Sequence, residues 1–337
     1  MSATVALSIF AFATLVILAA GSRLAGVADR LADRTGLGEA LVGAVLLGAA
    51  TSLSGLTTSV VAASRGLPEL AVSNAVGGIA AQTVFLVAAD FFHKRVNLEH
   101  AAASIENLLY GIMLAGMLAV PLIAMGGPDW TVHGIHPASL FLVGFYVLGL
   151  RLSRKTRHFP QWQPEQTRET RMDEPDEANA DMSLSSLIIQ FCILAGITGI
   201  AGWAIALSGE TLMTTFSLSE SVTGALLTAI ATSTPELVTT IAAVRRGALT
   251  LAVGGIMGGN LFDVLFLAGA DAAYREGSIY HAISGQQSFL LALTILMTAV
   301  LIAGLIVREK RGFARIGFES SLVLVLYLGG MALLAAG

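Results

Sequence analysis

Apolar residues run through this chain in long blocks separated by short polar punctuation. Neither the two-residue alternation of a half-buried strand nor the single stripe of a soluble helix dominates. Blocks of about 20 apolar residues match the length a helix needs to cross a bilayer core. On that template the pattern predicts ten spanning helices, at about 4–21, 37–63, 68–91, 104–125, 136–152, 184–208, 217–244, 248–273, 284–307 and 315–336. One long polar stretch interrupts them, "RLSRKTRHFPQWQPEQTRETRMDEPDEANADM" at residues 151 to 182, basic first and acidic second. It divides the spans five and five and reads as a flexible cytoplasmic linker, too short for a folded regulatory domain. The expected fold class is an all-α membrane protein: a five-helix unit over 1–152, a linker over 153–183 and a second five-helix unit over 184–337.

Composition agrees. The 337 residues are 55% hydrophobic and 12% charged, against roughly 25% charged in an ordinary soluble domain, and the mean hydropathy is +0.77. A single cysteine, Cys192, leaves no disulfide framework and no CxxC metal site. Nothing supports nucleic-acid binding. The first apolar run has no basic residue before it, while Arg23, Arg30 and Arg34 follow it, so it reads as a retained helix and not as a signal peptide.

With the N-terminus outside, the ten-span reading puts 17 of the 19 Lys and Arg residues in inside loops and leaves only Arg65 and Arg275 outside. That split follows the positive-inside rule and predicts both termini outside. Short loops and the lack of a targeting signal suit a prokaryotic plasma (inner) membrane.

The chain also matches itself. At an offset of 181 residues, Ala50 to Asp90 falls without a gap on Ala231 to Asp271, with 17 of 41 positions identical. Upstream, Leu37, Glu39 and Gly43 meet Leu218, Glu220 and Gly224. An odd number of spans in each unit turns the second upside down relative to the first. Inverted-topology repeats with polar residues at matching midmembrane positions point to a secondary transporter with its site at the repeat interface.

Within the repeat, "ATSTPEL" places Thr232 and Ser233 on one helix face with Glu236, with Thr239 and Thr240 a turn further on. Pro235 has no N–H to give the Ala231 carbonyl, which predicts a loosened main-chain oxygen beside the carboxylate. In the next span, Asn260 and Asp263 share a face behind Gly258 and Gly259, small residues that admit a neighbouring helix. Carboxylates, hydroxyls and carbonyls suit a hard cation such as Na+ or Ca2+, and acids at membrane depth are costly unless paired, protonated or ion-bound. Asp90 and Asp271 lie at helix ends and read as solvated or headgroup-facing.

These segments resemble the calcium/cation antiporter superfamily, which includes sodium/calcium exchangers. That family has ten helices in two inverted repeats and segments of the form G-T-S-x-P-E and G-N-x-x-G-S-N-x-x-N/D. The resemblance implies cation antiport by alternating access. It makes Glu236 and Asp263 the acidic cation (metal) ligands, assisted by Thr232, Ser233 and Asn260. From the first repeat it adds Thr51, Ser52, Asn74 and Gln82. No cofactor is implied; the ligands are the transported cations, Ca2+ and Na+, and the partners are inorganic cations and the lipid bilayer.

The first repeat departs from the pattern. Gly55 stands where the family has its other glutamate, Ser54 where it has proline, Ile79 where an Asn is usual and Gln82 where it has the last Asn. Ser54 keeps its N–H, so the first-repeat helix is expected to be less broken than the second. Fewer anionic ligands weaken divalent binding, which leaves open an exchanger of Na+, K+ or H+ and a degenerate, non-transporting protein. An intramembrane enzyme is disfavoured, because all six histidines fall in loops or near helix ends.

Overall fold

A computed structural model describes residues 1–35, 48–92, 97–158, 183–246, 249–310 and 317–336. Within them the regular structure is helical, as it must be where a backbone in lipid satisfies its own hydrogen bonds. In the first half the elements are α1 (Ala3–Val16), α2 (Ser22–Thr35), α3 (Gly48–Thr51), α4 (Leu53–Ser64), α5 (Pro68–Phe92), α6 (Leu98–Ala101), α7 (Ile105–Gly126) and α8 (Pro137–His158). The second half has α9 (Leu184–Phe216), α10 (Glu220–Val222), α11 (Ala229–Thr232), α12 (Thr234–Arg246), α13 (Leu249–Asp263), α14 (Leu265–Ala273), α15 (Gly285–Val307) and α16 (Phe318–Ala336). π-helical turns at Ile17–Gly21 and Thr223–Thr228 join α1 to α2 and α10 to α11.

Seven helices among the described residues are long and apolar enough to cross a membrane. The pair Glu220–Thr232 and Thr234–Arg245, bent by 47°, meets the same length and apolarity only when taken together. The chain is therefore an all-helical, multi-pass membrane protein. The expected span at 37–63 lies partly outside the described residues, as do Leu37, Glu39 and Gly43 and most of the linker. Its described end is α3 and α4, shorter than a full crossing. Two helices outrun their expected ends: α8 continues to His158, and α9 continues to Phe216, stopping where Ser217 turns left-handed at φ 54° and its N–H reaches the Met213 carbonyl.

The core is centred on α5. Of its most apolar window 89% is buried, against 17% for α9; Ile188, Ile193, Ile200 and Trp203 of α9 are exposed, as lipid-facing residues should be. α5 packs on the Thr223–Thr228 turn, α13, α15 and α16, while α9 clasps α1 and α4. Small residues set the closest approaches. A Cβ on Gly77 would lie 2.5 Å from the Ala225 Cα, and one on Gly48 would lie 3.6 Å from the Gly259 Cα. These contacts seat the first-half helices against the second-half segments that carry Glu236 and Asp263.

Asp90 and Asp271 are not solvated as expected; both are buried. Asp90 Oδ1 accepts the Leu98 N–H at 2.8 Å, and Asp271 Oδ1 accepts the Ile279 N–H at 3.1 Å. Asp271 Oδ2 also accepts from the His136 N–H at 2.7 Å and the Ser139 hydroxyl at 2.6 Å. Each carboxylate satisfies backbone donors in the loop that follows its helix, which is what makes burial of the charge tolerable.

Candidate cation site

Both polar helices break at the same register. Ser52 (φ −86°, ψ −1°) separates α3 from α4, and Ser233 (φ −93°, ψ 7°) separates α11 from α12. The first-repeat helix is thus also broken, without a proline. The Ser54 hydroxyl instead donates to the Thr232 carbonyl at 3.1 Å, tying one broken helix to the other. The Ala231 carbonyl, which Pro235 leaves without its helical partner, accepts the Thr234 hydroxyl at 3.0 Å.

All nine residues singled out in the sequence are buried, none more than 4% exposed. Six form one contiguous cluster. Gln82 of α5 donates through Nε2 to Asp263 Oδ2 at 2.6 Å and to the Ser233 hydroxyl at 3.3 Å. The Ser52 hydroxyl reaches Glu236 Oε1 at 3.5 Å and lies close to Asp263. Thr51 lies near the Glu236 carboxyl, its hydroxyl donating to the Gly48 carbonyl at 3.2 Å. Asn260 sits beside them, its amide donating to the Thr83 hydroxyl at 3.4 Å.

Thr232 and Asn74 play a different part. The Thr232 hydroxyl turns back to the Thr228 carbonyl at 2.9 Å. Asn74 spends its amide group on the Gly55 carbonyl (3.1 Å) and the Ser59 hydroxyl (2.9 Å), while its oxygen accepts from the Thr228 hydroxyl at 2.7 Å. With its polar atoms engaged, Asn74 braces the broken helix. Thr83, Thr228 and Phe266 also border the cluster, and their isolated positions in apolar runs gave no sequence signal.

Four oxygens here are buried and lack a hydrogen-bond donor: Glu236 Oε2, Asp263 Oδ1, Gln82 Oε1 and Asn260 Oδ1. All are acceptors. Among the described residues no Lys, Arg or His forms an ion pair with either acid, and no group of three or more His, Cys, Asp or Glu side chains is placed to hold a metal ion. Two acids of the second half, with neutral oxygens from both halves beside them, make a donor set suited to a hard cation. Leaving such acceptors without any partner would be costly.

The family described as "Sodium/calcium exchanger protein" matches residues 5–153 and 185–335. The chain belongs to that family. As a sodium/calcium exchanger family member it has relatives along nearly its whole length. CaxA of Alkalimonas amylolytica is 24% identical over 329 residues, covering 97% of this chain and 98% of the relative. The inner membrane protein YrbG of Escherichia coli (strain K12) is 26% identical over 277 residues, 79% of this chain and 78% of its own. Among solved structures, the sodium-calcium exchanger NCX_Mj superposes with a TM-score of 0.61 at 18% identity, over 98% of this chain and 99% of its own. The H+/Ca2+ exchanger CAX gives 0.69 at 15% identity, over 98% and 85%. These two likenesses concern the fold. The break between the two matched segments coincides with the polar stretch read as a linker.

Proposed function

We propose that this family member is a secondary-active cation antiporter that binds its cation between Glu236 and Asp263 and exposes it to the two sides in turn. The observation that carries the reading is the set of four buried acceptor oxygens without donors. A bound cation supplies the positive partner that these acceptors lack. Gln82, Ser52, Thr51 and Ser233 orient the acids, and Asn260 adds a neutral oxygen.

Two five-helix units of inverted topology, over 1–152 and 184–337, fit the matched segments of the family and the helix breaks that recur at Ser52 and Ser233. Alternating access then consists of one unit rocking against the other around the site. Arg65, read as outside, pairs with Glu210 at 2.5 Å, while Asn97 and Lys310, from loops read as inside, bond at 3.2 Å. Each pairing joins segments assigned to the same side, as the ten-span order requires. The cations are substrates, and no resident cofactor is needed.

Na+/Ca2+ exchange is the default ion pair, and Gly55 and Gln82 favour a second one, proton-coupled Ca2+ exchange, since two acids can trade one divalent cation for two protons. The test is 45Ca2+ uptake into proteoliposomes under an outward Na+ gradient or, separately, an outward H+ gradient. Uptake that needs one gradient and is lost in Glu236→Gln supports antiport and names the coupling ion. No flux with either gradient, and no cation binding, refutes it.

A further inference from the structure

The internal repeat pairs Gly55 with Glu236 and Phe85 with Phe266. In the second half the polar helix brings a carboxylate to the site; in the first half the matching position brings nothing. The structure shows what stands there instead. A Cβ on Gly55 would lie 2.7 Å from Phe266 Cε2, 3.4 Å from its Cζ and 3.6 Å from the Thr232 hydroxyl. The first distance is well inside van der Waals contact, so a side chain at position 55 displaces the ring.

Neither partner has room to yield. The Asn74 amide holds the Gly55 carbonyl at 3.1 Å, which pins the backbone. Phe266 is 4% exposed and packs edge-on to Phe262 at 6.2 Å, which packs edge-on to Tyr146 at 5.9 Å. Its repeat counterpart Phe85 is only half-buried. The phenylalanine of the half that carries glycine is partly exposed, and the phenylalanine of the half that carries the glutamate is buried against that glycine.

We propose that Phe266 is a specificity-determining residue of the cation site: its ring fills the volume that a glutamate at position 55 would need, and so holds the site to the Glu236 and Asp263 carboxyls. This rests on the antiporter reading. Two carboxylates are neutralised by a single divalent cation or by two monovalent ones, so the site takes one Ca2+ at a time and has no charge left for an accompanying Na+.

The experiment measures 45Ca2+ binding and thermal unfolding of the purified full-length protein and of Gly55→Glu, Phe266→Ala and the double variant. Gly55→Glu alone is expected to unfold at lower temperature than the parent and to bind Ca2+ no tighter. The double variant recovers the lost stability relative to Phe266→Ala and binds Ca2+ at least about tenfold tighter, as an added carboxylate ligand should. A Gly55→Glu single variant as stable as the parent and tighter-binding overturns the proposal, and so does a folded double variant that binds no tighter. Should the glutamate variants not fold, Gly55→Ala with and without Phe266→Ala decides. A destabilisation by Gly55→Ala that Phe266→Ala relieves supports the proposal, and additive effects overturn it. A parent that binds no Ca2+ beside a double variant that does removes Ca2+ as the parent's substrate but keeps Phe266 in its role.

Discussion

Glu236→Gln keeps the shape of the side chain and removes one of the two buried charges at the site. A carboxylate about 4 Å from a monovalent cation contributes about 4 kcal/mol at an effective dielectric constant of 20, and about twice that for a divalent one. Glutamine returns part of this through its carbonyl oxygen, so about 4 kcal/mol is a fair loss for Ca2+, or roughly a thousandfold in affinity. A ligand at 100 times its dissociation constant stabilises the folded state by about 2.7 kcal/mol. At the same Ca2+ concentration, a thousandfold weaker variant gains less than about 0.1 kcal/mol. The assay is thermal unfolding in detergent across a Ca2+ titration, with a matched Na+ titration. The parent's midpoint should climb with the bound ion while that of Glu236→Gln stays level. A variant whose midpoint climbs in parallel with the parent, displaced by less than about tenfold in concentration, would refute the claim that Glu236 faces the cation, since a charge worth about 4 kcal/mol cannot be removed so cheaply.

Other consequences follow from packing and burial. Gly77→Ala puts a methyl group 2.5 Å from the Ala225 Cα and 2.9 Å from its carbonyl oxygen; because backbone cannot step aside, a loss of about 1–3 kcal/mol is expected on chemical unfolding. Gly144→Ala, on an exposed helix face with open space around it, should be neutral or gain up to about 1 kcal/mol from helix propensity. Asp271→Ala strands the His136 and Ile279 N–H groups, so a loss of about 2–3 kcal/mol and faster hydrogen exchange in those loops are expected. Glu99, in the short helix between α5 and α7, is held well above the ordinary carboxylate range by burial, then by the charges of Glu319 and Asp90. Its folded-state affinity for a proton exceeds the unfolded one, so stability falls as pH rises from the unfolded value toward the folded one. Glu99→Gln should flatten that decline in unfolding midpoints measured from pH 4 to 9, and an unchanged slope would contradict the assignment.

The sequence by itself determined the solvent, the element type and the acids. Unbroken apolar blocks leave a backbone in lipid no structure but helix or closed barrel, and their length chose helix. An ionisable residue in such a block is expensive enough to mark itself, which is why Glu236 and Asp263 were legible, and the repeat carried Thr51, Ser52 and Gln82 along with them. Those signals are local, or depend only on the offset between two stretches of chain. Everything that depends on which atoms meet across helices needed the tertiary structure. Asn74 matches the family pattern yet spends its amide on the Gly55 carbonyl and Ser59, and the Ala231 carbonyl freed by Pro235 accepts the Thr234 hydroxyl. Asp90 and Asp271 sit at the ends of apolar runs, where hydropathy cannot tell a solvated carboxylate from one buried against the N–H groups of a returning loop. A missing glutamate at position 55 is visible in the sequence as a glycine; that an aromatic ring from the other half of the chain stands in its place is not. Hydropathy records what each residue prefers to touch, and only the packed helices decide what it does touch.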